Sequence, residues 1–306
     1  MTTLPLQCQP AATAAPPAHA SAQLDVGRRN EATRHEWVRQ KLAKLPPGGR
    51  ILDAGAGEGR YRPLCPHLKY VSQDFARYDG RGDGAGLQTR QWDQSKLDLV
   101  CDITAIPEPD GSFDAILCTE VFEHLPDPLA ALREFARLLK PNGHLILTAP
   151  FCSLTHFAPY HFATGFSRYF YRTHLPANAF EILELADNGN FFEYLAQELR
   201  RLRSVASRYT GETLGQDELA ALHTVLAALQ RCSSTDKGSS ELLHFGHHVL
   251  ARKVPRTATA SSPQAKQADP WMTSLNHALR ASAKRPEKRP MRIPPPTQEP
   301  KSPKSN

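Results

Sequence analysis

The stretch from Arg50 to Tyr61, RILDAGAGEGRY, sets an aspartate and three glycines at alternate positions: Asp53-x-Gly55-x-Gly57-x-Gly59. Glycine in such a turn permits positive φ and lets a ligand approach the backbone where a Cβ would stand in the way. Spacing tests the phosphate-binding alternatives. A P-loop requires Gly-Lys followed by Ser or Thr, and no lysine lies near this turn. The dinucleotide pattern G-x-G-x-x-G places Gly or Ala sixth, where this chain has Arg60. Asp53, leading into the turn, repels a phosphate and welcomes an ammonium group. The ligand implied is a nucleoside carrying an amino-acid end.

A turn of this kind needs a strand before it and a helix after it. RILDAG reads as the strand, preceded by a helical stretch, NEATRHEWVRQKLAKL, that stops at PPGG. KYVSQDF, LDLVCDI, SFDAILCTEV and HLILTAPF read as four further strands. The helix DPLAALREFARLLK lies between the last two and is expected to stop at Pro141-Asn142-Gly143. FEILELADNG and ELLHFGHHVLARK give a sixth and a seventh strand, separated by two charged helices over about residues 191–231. Short, near-continuous apolar strands separated by helices imply an α/β domain with a doubly wound, mostly parallel seven-stranded sheet covered on both faces. One such domain accounts for residues 26–253.

The ends differ from this middle. Residues 1–25 are rich in Ala, Pro and Thr, and residues 254–306 in Pro, Lys, Arg and Ser; both read as disordered, apart from a short amphipathic island, WMTSLNHALRASAK. The tail from Val254 holds ten Lys/Arg against three Asp/Glu, so the net charge of +6 belongs to it and the remainder is nearly neutral. No apolar run is long enough to span a membrane, and the N-terminus lacks the basic and apolar regions of a signal peptide. The six cysteines are scattered, without a C-x-x-C pair, as expected in a reducing, cytoplasmic setting.

With these residues in order, the chain resembles the class I S-adenosylmethionine-dependent methyltransferases, in particular the methyltransferase type 11 group, over about residues 30–253. LDAGAGEGRY resembles the family's first motif, and FDAILCTEVFEHLPDPLAALREFARLLKPNGHLILTAP its fourth and fifth strands with the helix between them. The resemblance implies a Rossmann-like methyltransferase fold with S-adenosylmethionine as cofactor. It assigns cofactor binding to Asp53, Gly55, Gly57 and Gly59. Asp74 would hold the ribose hydroxyls, and Asp102 with Ile103 would contact the adenine.

Methyl transfer from a sulfonium is an in-line displacement, and a hydroxyl acceptor must also lose its proton, a task suited to His or a carboxylate titrating near neutrality. The candidates are Glu120, Glu123, His124, His156 and His161. Glu123-His124 resembles a family pair that recurs with different acceptors. His156 and His161 lie in the aromatic segment THFAPYHFATGFSRYFY, which is expected to line the acceptor site. His244, His247 and His248 in HFGHH alternate along a strand and cannot all converge, and no Cys or carboxylate cluster adjoins them in sequence, so no metal is expected. The expected reaction is methylation of a small-molecule acceptor, most readily at oxygen. Two alternatives are a catalytically silent cofactor-binding interaction protein and a nucleic-acid methyltransferase tethered by its basic tail. The chain lacks the Asp/Asn-Pro-Pro-aromatic and Pro-Cys motifs of base methylation, which speaks against nucleic acid as a substrate.

Overall fold

A computed structural model describes residues 24–255. Seven strands make one sheet: β1 (Arg50–Ala54), β2 (Lys69–Asp74), β3 (Leu99–Val100), β4 (Phe113–Thr119), β5 (Leu139–Pro150), β6 (Phe180–Asn188) and β7 (Gly246–Lys253). Their order is β3-β2-β1-β4-β5-β7-β6, with β1 to β5 paired in parallel and β7 antiparallel to both β5 and β6. The helices are α1 (Asn30–Leu42), α2 (Pro128–Leu138), α3 (Arg168–Ala177), α4 (Phe191–Thr210) and α5 (Gln216–Ser234). This is the doubly wound, mostly parallel sheet that the sequence implies.

Near-continuous apolar strands are buried on both faces because successive side chains alternate across the sheet. Ile116 and Cys118 of β4 join Leu52, Phe122 and the α2 residues Leu132 and Phe135 on one face. Ala115 and Leu117 join Ile51, Ile146 and the α1 residues Val38 and Leu42 on the other. Each Leu or Phe buried in this way contributes roughly 1.5–3 kcal/mol. α2 begins where Asp127 accepts the Ala130 amide at 2.9 Å and Pro128 occupies the first turn, and its apolar face repeats at helical spacing over Ala131, Leu132, Phe135 and Leu138.

The sheet order reverses between β1 and β4, so the carboxyl ends of these strands open onto a crevice. Gly55, Asp74, Glu120 and Phe151 each follow or end a strand at that edge. α4 and α5 lie side by side, and Val26 packs against them with Ala196, Leu226 and Leu229.

Three local expectations are corrected. No α-helix follows the glycine turn. Gly55, Gly57 and Gly59 all have positive φ, and the connection to β2 holds only a 3-10 turn at Arg62–Leu64, with Pro63 and Pro66 withholding amide donors. β3 shrinks to Leu99–Val100 at the sheet edge, flanked by Asp98, whose carboxylate takes the Ser72 amide of β2, and by Asp102, whose carboxylate takes the Thr104 amide. α2 ends at Leu138, and Pro141-Asn142-Gly143 already belongs to β5, with Asn142 at φ +65° and a register irregularity opposite. The segments read as tails lie almost wholly outside the described residues, as does the amphipathic island. At their inner edge, Leu24 packs against the cluster beside α4 and α5, and the Asp25 amide donates to Gln230.

Candidate functional site

Two neighbouring cavities occupy the crevice. The first, of about 500 Å³, is walled by Gly55, Asp74, Asp102, Ile103, Glu120 and His124, among others. The second, of about 260 Å³, lies against α4, with Glu123, Cys152, Ser153 and His156 in its wall. Glu120 and Phe157 line both.

The glycine turn works in layers. Gly55 reaches the first cavity at φ +78°, and a Cβ there would stand 2.4 Å from Val121 Cγ2. Gly57 lies behind that wall. Its amide donates to Asp74 Oδ2 at 2.9 Å, and the Trp92 ring lies over it. Gly59 closes the turn through a 2.8 Å bond from its amide to the Ala56 carbonyl and stands outside the cavity. Asp53 does not reach the cavity either. It is buried beneath the turn, receives the Tyr70 hydroxyl, and burial pushes its carboxyl up to about 7. The ammonium partner expected for Asp53 is therefore replaced by a phenol.

Asp74 accepts amides from both Gly57 and Ala76, yet burial still holds its carboxyl above the ordinary range. Asp102 stays below the ordinary range, because the amide and hydroxyl of Thr104 both donate to its Oδ1, at 2.8 and 2.7 Å. Ile103 is buried beside it and lines the same cavity.

At the end of β4 the backbone turns sharply, with Glu120 at φ +54°, a conformation rare for a side chain of this size. Its carboxylate accepts the Thr148 hydroxyl at 2.9 Å and pairs with Arg34 of α1 at 3.0 Å. Glu123 is fully buried, and neither of its oxygens has a hydrogen-bond partner among the described residues. Burial pushes its carboxyl up to about 7, against the pull of His156, whose Nε2 is 3.8 Å away. His156 donates from Nδ1 to the Leu154 carbonyl at 2.8 Å. Burial works against its charge, but the adjacent Glu123 and that carbonyl hold it above the ordinary histidine range.

His124 donates from Nδ1 to the Tyr160 carbonyl at 2.6 Å and stacks on Phe157, and burial drives it down to about 3, so it is a neutral ring. His161 lines neither cavity. It meets Ser153 Oγ at 3.2 Å, on the loop that carries His156. The structure thus gathers Glu120, Glu123, His124 and His156, and leaves His161 behind them.

Donor atoms of Glu123, His124 and His156 lie within 4.8 Å of one another, a set that could share protons or hold one cation. A second set brings His244 and His247 together with Asp187 of β6. His248 points to the other face, against Trp37, as strand alternation requires. The carboxylate that the sequence did not place beside HFGHH comes from the neighbouring strand.

The reading of the sequence missed several residues. Trp92 and Tyr78 wall the first cavity beside Phe157 of the expected aromatic segment, and Arg34 and Thr148 fix Glu120. The signal for the first group was the alternation Gly80, Gly82, Gly84, Gly86. A Cβ on Gly82 would stand 2.0 Å from the Ala158 carbonyl oxygen, so this loop folds tightly against the aromatic segment.

Residues 28–209 match the methyltransferase domain family, which covers more than half of the chain. Among curated relatives, a ubiquinone biosynthesis O-methyltransferase of Xanthomonas axonopodis pv. citri is 37% identical over 128 residues, covering 38% of this chain and 48% of the relative. The chain spans about half the length of the curated relatives it matches. Among solved structures, a putative sarcosine dimethylglycine methyltransferase from Galdieria sulphuraria overlaps 73% of this chain and 86% of its own at 19% identity and a TM-score of 0.45. The [4+2]-cyclase SpnF overlaps 74% of this chain and 85% of its own at 20% identity and a TM-score of 0.46. In the domain match, the order of its motifs and the topology of its sheet, the chain belongs to the class I S-adenosylmethionine-dependent methyltransferases.

Proposed function

We propose that the chain methylates an oxygen of a small-molecule acceptor, with the methyl donor in the first cavity and the acceptor in the second. The observation that carries this reading is that Glu120 and Phe157 are walls of both cavities, so the two chambers meet beside an acid–base cluster. The curated relatives named as O-methyltransferases support oxygen as the acceptor atom. Asn30, Gln197, Glu198 and Arg201 in the second cavity favour an acceptor with polar substituents.

The residues fit the cofactor. Gly55 presents bare backbone where a Cβ would collide with Val121, and the acidic groups Asp74 and Asp102 stand at successive strand ends. Asp74 would hold the ribose hydroxyls, Asp102 and Ile103 would flank the base, and the backbone at Gly55 would face the amino-acid end. Asp53, Gly57 and Gly59 would act from behind, by propping the turn and fixing Asp74. Bound there, S-adenosylmethionine supplies a methyl group on a sulfonium whose departure leaves a neutral thioether.

The chain's own work is alignment, exclusion of water and proton removal. Trp92, Tyr78 and Phe157 pack edge-to-face and stacked with ring centroids 4.5–5.3 Å apart, forming an aromatic wall. The Leu154 carbonyl fixes the proton of His156 on Nδ1, which leaves Nε2 to take the acceptor's hydroxyl proton. Glu123 then faces an imidazolium and stabilises it. His124 remains neutral and orders the aromatic segment. His161 positions the loop through Ser153.

The test is methyl transfer from labelled S-adenosylmethionine to a panel of phenols, aliphatic alcohols and amines. The reading expects methyl ethers as products, and turnover lost in Glu123→Gln. Methylation at nitrogen alone would overturn it.

A further inference from the structure

Beside the end of β5, the two ring nitrogens of His247 each face a neighbouring polar group. His244 donates from Nδ1 to the Ser240 carbonyl at 2.7 Å. A carbonyl only accepts, so His244 Nε2 carries a bare lone pair. That lone pair faces His247 Nε2 at 3.2 Å. His247 Nδ1 lies 3.1 Å from Asp187 Oδ1 without a hydrogen bond, an orphaned polar atom in a fully buried side chain, and the same Oδ1 stands 3.7 Å from His244 Nε2. A neutral imidazole has one N–H and can satisfy only one of these contacts. The other then sets acceptor against acceptor.

We propose that His244, His247 and Asp187, whose donor atoms all lie within 4.8 Å of one another, bind one divalent transition-metal ion of the Zn²⁺ class. The spacing suits shared ligation. Two ligands about 2.0–2.1 Å from one ion stand close to the 3.2 Å that separates the two Nε2 atoms. The outer partners suit it as well. Metal-bound histidines donate their other ring N–H to a carbonyl, and ligating carboxylates are themselves hydrogen-bonded. Here the Ser240 carbonyl holds His244, and Arg168 donates to Asp187 Oδ2 at 2.8 Å, turning Oδ1 toward the rings.

Two imidazoles and one carboxylate select Zn²⁺, Co²⁺ or Ni²⁺ over Mg²⁺ and Ca²⁺, which prefer oxygen. The Phe151 and Tyr171 rings pack against the histidines and give the site an apolar wall. Asp187, the most exposed of the three, marks the access route. Asp187 and His247 are register partners across β6 and β7, whereas His244 comes from the loop before β7. The ion therefore staples that loop to the sheet edge.

Chelator-treated full-length protein is titrated with Co²⁺, and visible absorbance and melting temperature are followed. The expected result is one equivalent bound, a d–d absorption band and a melting temperature raised by several degrees, with Mg²⁺ giving neither. His247→Gln and His244→Gln, each confirmed as folded by its melting transition without metal, should lose the band. His156→Gln should keep it, which separates this site from the Glu123 cluster. The proposal is overturned if folded wild type binds no Co²⁺, or if the band survives in His247→Gln and His244→Gln and vanishes in His156→Gln.

Discussion

Glu123 and His156 face each other at 3.8 Å in the wall of the second cavity, the carboxylate fully buried and the imidazole fixed through Nδ1. In the proposed reaction, removal of the acceptor's proton rests on this pair.

Glu123→Gln keeps the shape and removes the charge that stabilises the imidazolium. It should lower kcat by roughly 10²-fold or more while leaving cofactor affinity within a few fold. In wild type the rate should fall toward acid pH as His156, the proton acceptor, and Glu123, pushed up to about 7, take up their protons. A pH profile of kcat/KM checks both points, and an unchanged acidic limb in Glu123→Gln would contradict the assignment.

Asp53 makes a stability prediction. Its folded pKa, about 7, lies above the ordinary carboxylate value. The folded state therefore holds the proton more tightly than the unfolded chain. This stabilising contribution is full below the unfolded pKa and is lost as pH rises through about 7. Asp53→Asn should consequently match wild type near pH 4 and gain on it toward pH 8.5, by an amount on the order of 3–4 kcal/mol. Urea denaturation at the two pH values measures the difference.

Gly55→Ala adds a methyl group at positive φ, 2.4 Å from Val121 Cγ2. Backbone strain alone costs about 1–2 kcal/mol, and the collision moves Val121 into the first cavity. Thermal melting should show the loss of stability, and calorimetry a cofactor affinity reduced at least tenfold.

Arg34→Met removes the partner of Glu120 while keeping much of the stem's bulk. With Glu120 still held by Thr148, the fold should survive, but the carboxylate should swing and KM for the acceptor should rise several-fold with little change in cofactor affinity. Steady-state kinetics against each substrate separates the two effects.

The sheet and most of the helices were legible because buried parallel strands are written as apolar runs, and because α2 carries its own start signals in Asp127 and Pro128. Asp74, Asp102 and Glu120 were legible as strand-end acids. Side-chain direction was not: Asp53 sits one residue before Ala54 and two before Gly55, yet the pleat turns it away from the cavity and toward Tyr70. The Arg34–Glu120 pair joins residues 86 positions apart and depends on how α1 crosses the sheet. The meeting of Asp187 with His247 depends on the register of β6 against β7, which no local pattern encodes. The 3-10 turn after β1 replaced a helix because the three left-handed glycines and the flanking prolines outweighed the usual strand–turn–helix order.

The central claim is that the first cavity takes S-adenosylmethionine between Gly55, Asp74 and Asp102. The most direct measurement is calorimetric titration of S-adenosylmethionine and S-adenosylhomocysteine into wild type and Asp102→Ala, a variant whose lost hydrogen bonds are confined to its own turn at Thr104. The account predicts saturable one-to-one binding of both ligands and at least a tenfold loss in the variant. Folded wild type that binds neither ligand, or a variant that binds both as tightly as wild type, would contradict it.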